Sequence, residues 1–183
     1  MPVPNLAQER ESTSTLPRDV EAQDYFAAMA KLATSVSIVT TDGRAGRRGL
    51  TVSAVTSVSI DDAGPVLLVC VNDRSGAGAA IARNGAFCVN ILAVGQADLA
   101  ERFARPDTGN RFSGLAFTPT AHGAPRLDDV YVAFDCTVMQ EAAIGTHRVF
   151  YGRVAAITHG PGEGPLVYAH RRFCAAVPHA HVY

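Results

Sequence analysis

Three stretches of the chain group residues able to bind or turn over a ligand. Asn72-Asp73-Arg74-Ser75-Gly76-Ala77-Gly78 follows an apolar run and precedes a helical pattern. A strand feeding a glycine-rich loop and a helix N-terminus aims free backbone N–H groups and a positive dipole end at one point, an anion cradle. Ser75 would donate to a phosphate or cap the helix, and Arg74 adds charge. The dinucleotide fingerprint is incomplete, because Ile81 stands where a third glycine belongs. Read alone, the stretch is more often an ordinary Ser-capped helix. The second stretch, Thr51 to Ser59, carries five hydroxyl side chains that could hydrogen-bond a phosphate, a sugar-alcohol chain or a ring edge. A solvent-facing strand has the same composition. The third is Gly145-Thr146-His147. A glycine permits close backbone approach, so the histidine could reach a ligand's charged or carbonyl group; a structural histidine at a strand end reads the same way.

Other chemistries lack their residues. No Gly-x-Ser-x-Gly elbow and no phosphate-binding Gly-x-x-x-x-Gly-Lys loop occurs. The four cysteines form no Cys-x-x-Cys pair and read as small core hydrophobes. His179-x-His181 offers two ligands near the C-terminus, a poor metal site. Sixteen Lys and Arg against seventeen Asp and Glu give a net charge of −1, and tryptophan is absent, which argues against a nucleic-acid surface. No apolar run approaches the roughly 18 residues of a membrane span. The polar first twenty residues have no secretory h-region. The expectation is a soluble cytoplasmic protein.

The elements that must position these groups are mostly strands. At 183 residues and 48% hydrophobic, the chain is one domain with its own core. Residues 1–20 read as a flexible tail, 21–175 as the domain and 176–183 as a second tail. Asp24 reads as the N-cap of a helix with an apolar stripe at Phe26, Met29, Ala30 and Ala33. Strands are expected over 35–41, 50–60, 65–71, 87–92, 130–138, 147–158 and 166–169, with helices over 77–83 and 96–103. Period-two alternation in 50–60 would put Thr51, Ser53 and Ser57 or Ser59 opposite core valines. Strand-rich content with frequent turns predicts an antiparallel barrel.

Taken in order, the motifs resemble those of the short-chain flavin reductases, the NAD(P)H:flavin oxidoreductase components of two-component flavin-dependent monooxygenases. The matching residues are Phe26-x-x-Met29-x-x-Leu32, Val36–Thr41, Gly49–Ser59, Pro65–Asn72 leading to Ser75, and Phe87–Leu92. They continue with Leu99-Ala100-x-x-Phe103-Ala104, Arg111-Phe112, Gly145-Thr146-His147-x-Val149–Val154 and Pro165–Tyr168. The resemblance implies a mainly β, Greek-key antiparallel FMN-binding split barrel with a few short helices, assembled as a homodimer. It implies FMN or FAD as flavin, NADH (or NADPH) as hydride donor, and a monooxygenase partner. Flavin contacts would fall on Thr51, Val52, Ser53, Ala54, Val55, Thr56 and Ser57, with Asn72 and Ser75 near the ribityl chain or phosphate. His147 would stand at the nicotinamide side and Phe173 near the pocket edge. Thr146 departs from the family's usual Asp, which removes a carboxylate that could orient His147. The same fold also serves reductases of other acceptors, such as a corrinoid cobalt, and non-enzymatic flavin or haem binders.

Overall fold

The computed structural model describes residues 20–107 and 109–177. Nearly all of the expected N-terminal tail, and His179 and His181, lie outside them. Helix α1 is Ala22–Met29, followed by strands β1 (Thr34–Ser35), β2 (Ser37–Thr41), β3 (Arg48–Val52), β4 (Val55–Asp61) and β5 (Gly64–Asn72). A 3-10 turn at Asp73–Ser75 leads into α2 (Ala77–Asn84), then β6 (Ala86–Ile91) and α3 (Ala97–Ala104). The rest is β7 (Phe117–Pro119), β8 (Pro125–Leu127), β9 (Val132–Ile144), β10 (His147–His159), β11 (Leu166–Ala169) and β12 (Arg172–Ala175). Two expectations shift at the first helix and ninth strand. Glu21 is the N-cap of α1, and Asp24 sits inside its first turn, where a carboxylate still favours the helix dipole. The strand expected at 130–138 runs on to Ile144, because its hairpin partner β10 pairs with it to the turn.

Seven strands form one antiparallel sheet in the order β3-β2-β6-β9-β10-β5-β4. Its two edges, β3 and β4, are consecutive in the chain and joined only by Ser53 and Ala54. Two residues span less than about 11 Å, so the sheet must curl until its edges adjoin. The Cys70 N–H donates to the Ala54 carbonyl at 3.1 Å, which carries the β4–β5 ladder up to that seam. This is the expected barrel, and it corrects one reading: residues 50–60 are not a single strand. They break at Ser53-Ala54, and the alternation is not that of a half-buried strand, since β4 is exposed nearly throughout, Val58 and Ile60 included.

The barrel interior holds Val39, Leu50, Val52, Leu67, Val69, Val71, Phe87, Val89 and Phe150. Gly152 is needed there: a Cβ would lie 2.4 Å from the Phe87 ring, at a register shift in the β9–β10 pair. A second core, with Ile38, Leu92, Ala100, Phe103 and Leu127, fills the space between the sheet, α3 and the β7–β8 hairpin. Cys88 and Cys136 are core residues as expected; burial is the main cause that pushes the Cys136 thiol up to about 12 and drives Cys88 upward as well.

Candidate active site

Strand alternation decides which side chains reach the seam. In β3, Leu50 and Val52 point into the barrel, so Thr51 points outward. In β5, Val69 and Val71 point inward, which turns Cys70 and Asn72 out. In β10, Phe150 is inside, and His147 lies directly opposite Asn72 in the β5–β10 register. The outward faces meet at the seam in a cleft of about 210 Å³ lined by Leu50, Thr51, Val52, Ser53, Ala54, Cys70, Asn72 and His147.

That cleft continues into a second cavity of about 530 Å³, sharing Leu50, Thr51 and Asn72 and adding Arg74, Ser75, Phe103, Arg105, Asp107 and Arg111. A third, of about 720 Å³, shares Arg105, Pro106 and Arg111 along α3. One groove therefore runs from His147 to the α3 end. The first cleft is below the roughly 300–1,000 Å³ of ordinary ligand sites, whereas the second cavity alone lies within that range.

The turn that carries His147 is a two-residue hairpin loop, Gly145-Thr146, between β9 and β10. Gly145 has φ +57°, the left-handed value that the first central residue of a primed hairpin turn requires. The Thr146 hydroxyl lies 3.0 Å from His147 Nδ1, which leaves Nε2 for a ligand. The Asp73 N–H donates to the Thr146 carbonyl at 3.0 Å. Arg148 clamps the same junction, donating to Asp73 Oδ1 and Glu141 Oε1, both at 2.5 Å. Turn and loop are thus tied together on either side of the cleft mouth.

Several expected roles change with the geometry. The Thr51 hydroxyl donates to the Ala100 carbonyl at 2.6 Å, so its donor is spent and only its lone pairs remain for a ligand. Ser75 does not cap α2 from the N-cap position, which Gly76 fills. Its hydroxyl donates to the Asn72 carbonyl at 2.6 Å and accepts from the Ala77 N–H at 3.2 Å, shaping its own turn. Asn72 Oδ1 likewise accepts from the Arg74 N–H at 2.9 Å. Val55, Thr56 and Ser57 lie on β4 beyond the residues that line the cleft. Phe173 is not at the cleft of its own chain: it packs against Tyr168, 5.3 Å between ring centroids, and against the second core.

Two lining residues were not singled out by the sequence as site residues. Cys70 sits in an unbroken apolar run and reads as core until the seam is known. Burial raises its thiol pKa, which lowers its thiolate fraction at neutral pH and makes it a poor nucleophile there. Arg111 matched a family motif, but nothing local marked it as a groove residue. Among the described residues, no group of three His, Cys, Asp or Glu side chains could hold a metal ion.

The polar rim of Thr51, Ser53 and Asn72, with a histidine at its mouth, suits a flat heteroaromatic ligand bearing hydrogen-bonding edges. Comparisons with known proteins agree. Residues 29–176 match the model of the flavin reductase like domain. The FMN reductase (NADH) RutF 1 of Methylorubrum extorquens is 42% identical over 164 residues, covering 89% of this chain and 80% of that one. The RutF of Variovorax paradoxus is 40% identical over 181 residues, covering 97% and 99%. Nitrilotriacetate monooxygenase component B from Mycobacterium thermoresistibile superposes with TM-score 0.79 at 27% identity, covering 90% and 93% of the two chains. The NADH:FAD oxidoreductase SgcE6 of Streptomyces globisporus, solved with NAD and FAD fragments, gives 0.79 at 25% identity, covering 88% and 96%. With the seam barrel and its groove in place, the chain belongs to the flavin reductase family.

Proposed function

We propose that the chain is an NADH-dependent flavin reductase that reduces FMN or FAD and supplies the product to a flavin-dependent monooxygenase. The observation that carries this reading is the seam groove, where Thr51–Ala54, Cys70, Asn72 and His147 converge without an acid–base or nucleophile dyad. Bound flavin accepts a hydride from NADH, a step in which the protein supplies binding, alignment and shielding. Thr51, Ser53, Asn72 and the backbone of Ser53-Ala54 hold the flavin edge, and polar groups there stabilise the negative charge that reduction brings. His147, braced by Thr146, holds the nicotinamide side of the donor. NADH is the preferred donor, as in the names of the RutF relatives, and no basic residue is assigned to a 2′-phosphate.

The working unit is a homodimer. Helix α1 buries none of its residues within the chain, and Tyr25, Phe26, Met29 and Leu32 stay exposed, as do Val58 and Ile60 on the edge strand β4. Apolar surface on that scale is normally covered by a partner. Among the described residues no helix is long and apolar enough to cross a membrane, and the reading places the enzyme in the cytoplasm, where NADH is formed.

The test is NADH oxidation followed at fixed protein with FMN, FAD or riboflavin added or withheld, after gel filtration. Flavin-dependent oxidation supports the reading. Bound flavin without NADH oxidation would make the protein a binder instead, and retained flavin that reduces only another acceptor would make it a different reductase.

A further inference from the structure

We infer that the cavity between β8, the start of β9 and the end of β10 binds a small amino acid with an apolar side chain, its carboxylate on Arg126 and its ammonium on Asp129. The cavity measures about 380 Å³, within the range of ordinary ligand sites. It shares no lining residue with the groove that runs from His147 to α3, so the inference stands apart from the flavin reading. Its floor is apolar: Leu127, Val130 and Ala133 line it and are buried. A smaller cavity of about 190 Å³ shares Leu127, Asp128 and Asp129 with it and adds Leu99 and Leu115, which makes room for an apolar side chain.

Two opposite charges line this cavity without pairing with each other. Arg126 is half-buried, and its guanidinium donates to the Thr158 hydroxyl at 3.2 Å. Thr158 lines the cavity as well, so the guanidinium lies on its wall. Among the described residues neither Arg126 nor Asp129 enters an ion pair. Asp129 takes φ +60°, a left-handed conformation that a residue with a side chain seldom adopts. Its neighbour Asp128 is engaged, accepting from the Thr118 hydroxyl at 3.3 Å. The wall is tightly built. A Cβ at Gly160 would lie 1.7 Å from the Val130 carbonyl oxygen, and the Gly160 N–H donates to the Tyr131 carbonyl at 3.0 Å. The end of β10 is thus pressed against the turn that carries Asp129. Held apart on one cavity, the guanidinium and the carboxylate leave a positive and a negative site, and a ligand carrying both charges completes both. A lone anion would be repelled by Asp129 and a lone cation by Arg126, so the zwitterion is favoured over either.

The experiment is calorimetric titration of the full chain with L-leucine, with isocaproate (leucine without its ammonium) and with isoamylamine (leucine without its carboxylate). Leucine should bind about 10- to 100-fold tighter than either analogue, the scale of one charge-assisted hydrogen bond. Arg126→Gln should bring leucine down to the affinity of isoamylamine, with isoamylamine itself no weaker. Asp129→Asn should bring leucine down to the affinity of isocaproate, with isocaproate no weaker. NADH oxidation with FMN should be unchanged in both variants, because neither residue lines the flavin groove. Should Arg126→Gln not fold, Arg126→Lys and Asp129→Asn decide, since Lys keeps the charge and should lose only part of the affinity. Leucine that does not bind, that binds no tighter than its analogues, that is weakened together with isoamylamine in Arg126→Gln, or that FMN displaces would overturn the inference and leave the flavin reading standing.

Discussion

At the scale of single residues, the histidine and the thiol of the cleft have different work. His147 reaches its position through a tight turn and its opposition to Asn72, and Thr146 braces Nδ1. Hydride transfer moves no proton to the imidazole, so on the proposed reading His147 positions the donor. His147→Ala should raise KM for NADH and lower kcat/KM about 5- to 150-fold, the equivalent of about 1–3 kcal/mol, with oxidised-flavin affinity and Tm unchanged. An unchanged kcat/KM would remove the histidine from the site, and lost flavin with a lowered Tm would make it structural. Cys70 makes a second test. Its raised pKa keeps the thiolate fraction low at pH 7, so alkylation by N-ethylmaleimide in a Cys174→Ser background should be slow there. The rate should still climb with pH beyond the point where an ordinary thiol, near about 8.5, has levelled off. Bound FMN should protect Cys70, and alkylation unaffected by saturating FMN would place the flavin elsewhere.

At the scale of elements, the decisive feature is the junction between the Asn72–Gly76 loop and the β9–β10 turn. Arg148 joins Asp73 to Glu141 across it, and the Asp73 N–H adds a backbone link to Thr146. Arg148→Ala should free both walls together, raising the FMN dissociation constant and KM for NADH by a few-fold each. Exposed ion pairs contribute about 0–1 kcal/mol to stability, so Tm should move little. A change in only one of the two constants would show that the walls are independent. Much of this level was legible beforehand: β2, β5, β6, β10, α2 and α3 stand where periodicity puts them. The break between β3 and β4 was not, because Leu50–Ile60 alternates without a glycine or proline, and only the meeting of sheet edges separates the two halves. That omission hid the site as well. Without the seam, Cys70 is one more member of an apolar run, Ser75 looks like a helix cap rather than the centre of its own turn, and Arg111 has no visible neighbour. Thr51 and Ser53 were singled out by alternation, Asn72 by the loop that follows an apolar run, and His147 by the Gly145-Thr146-His147 turn and the family resemblance; the fold brings them to one cleft.

At the scale of the whole molecule, a single chain leaves an apolar helix and an apolar edge strand uncovered. Ile60 is 82% exposed and Phe26 61%. The homodimer should bury roughly 2,000 Å² or more, the range of obligate interfaces. Light scattering at micromolar concentration should give twice the chain mass. Phe26→Asp combined with Ile60→Asp should shift it toward one, since burying unpaired carboxylates in an interface is costly; a wild-type monomer would contradict this. On the proposed reading, the seam groove brings NADH and flavin together for direct hydride transfer. The most direct measurement of this is anaerobic stopped-flow bleaching of FMN by NADH carrying deuterium at the transferred C4 position, in wild type and in His147→Ala. One flavin should be reduced per NADH, with a primary isotope effect on the bleaching rate and a slower rate in His147→Ala with FMN still bound. Bound FMN that NADH does not bleach would contradict it.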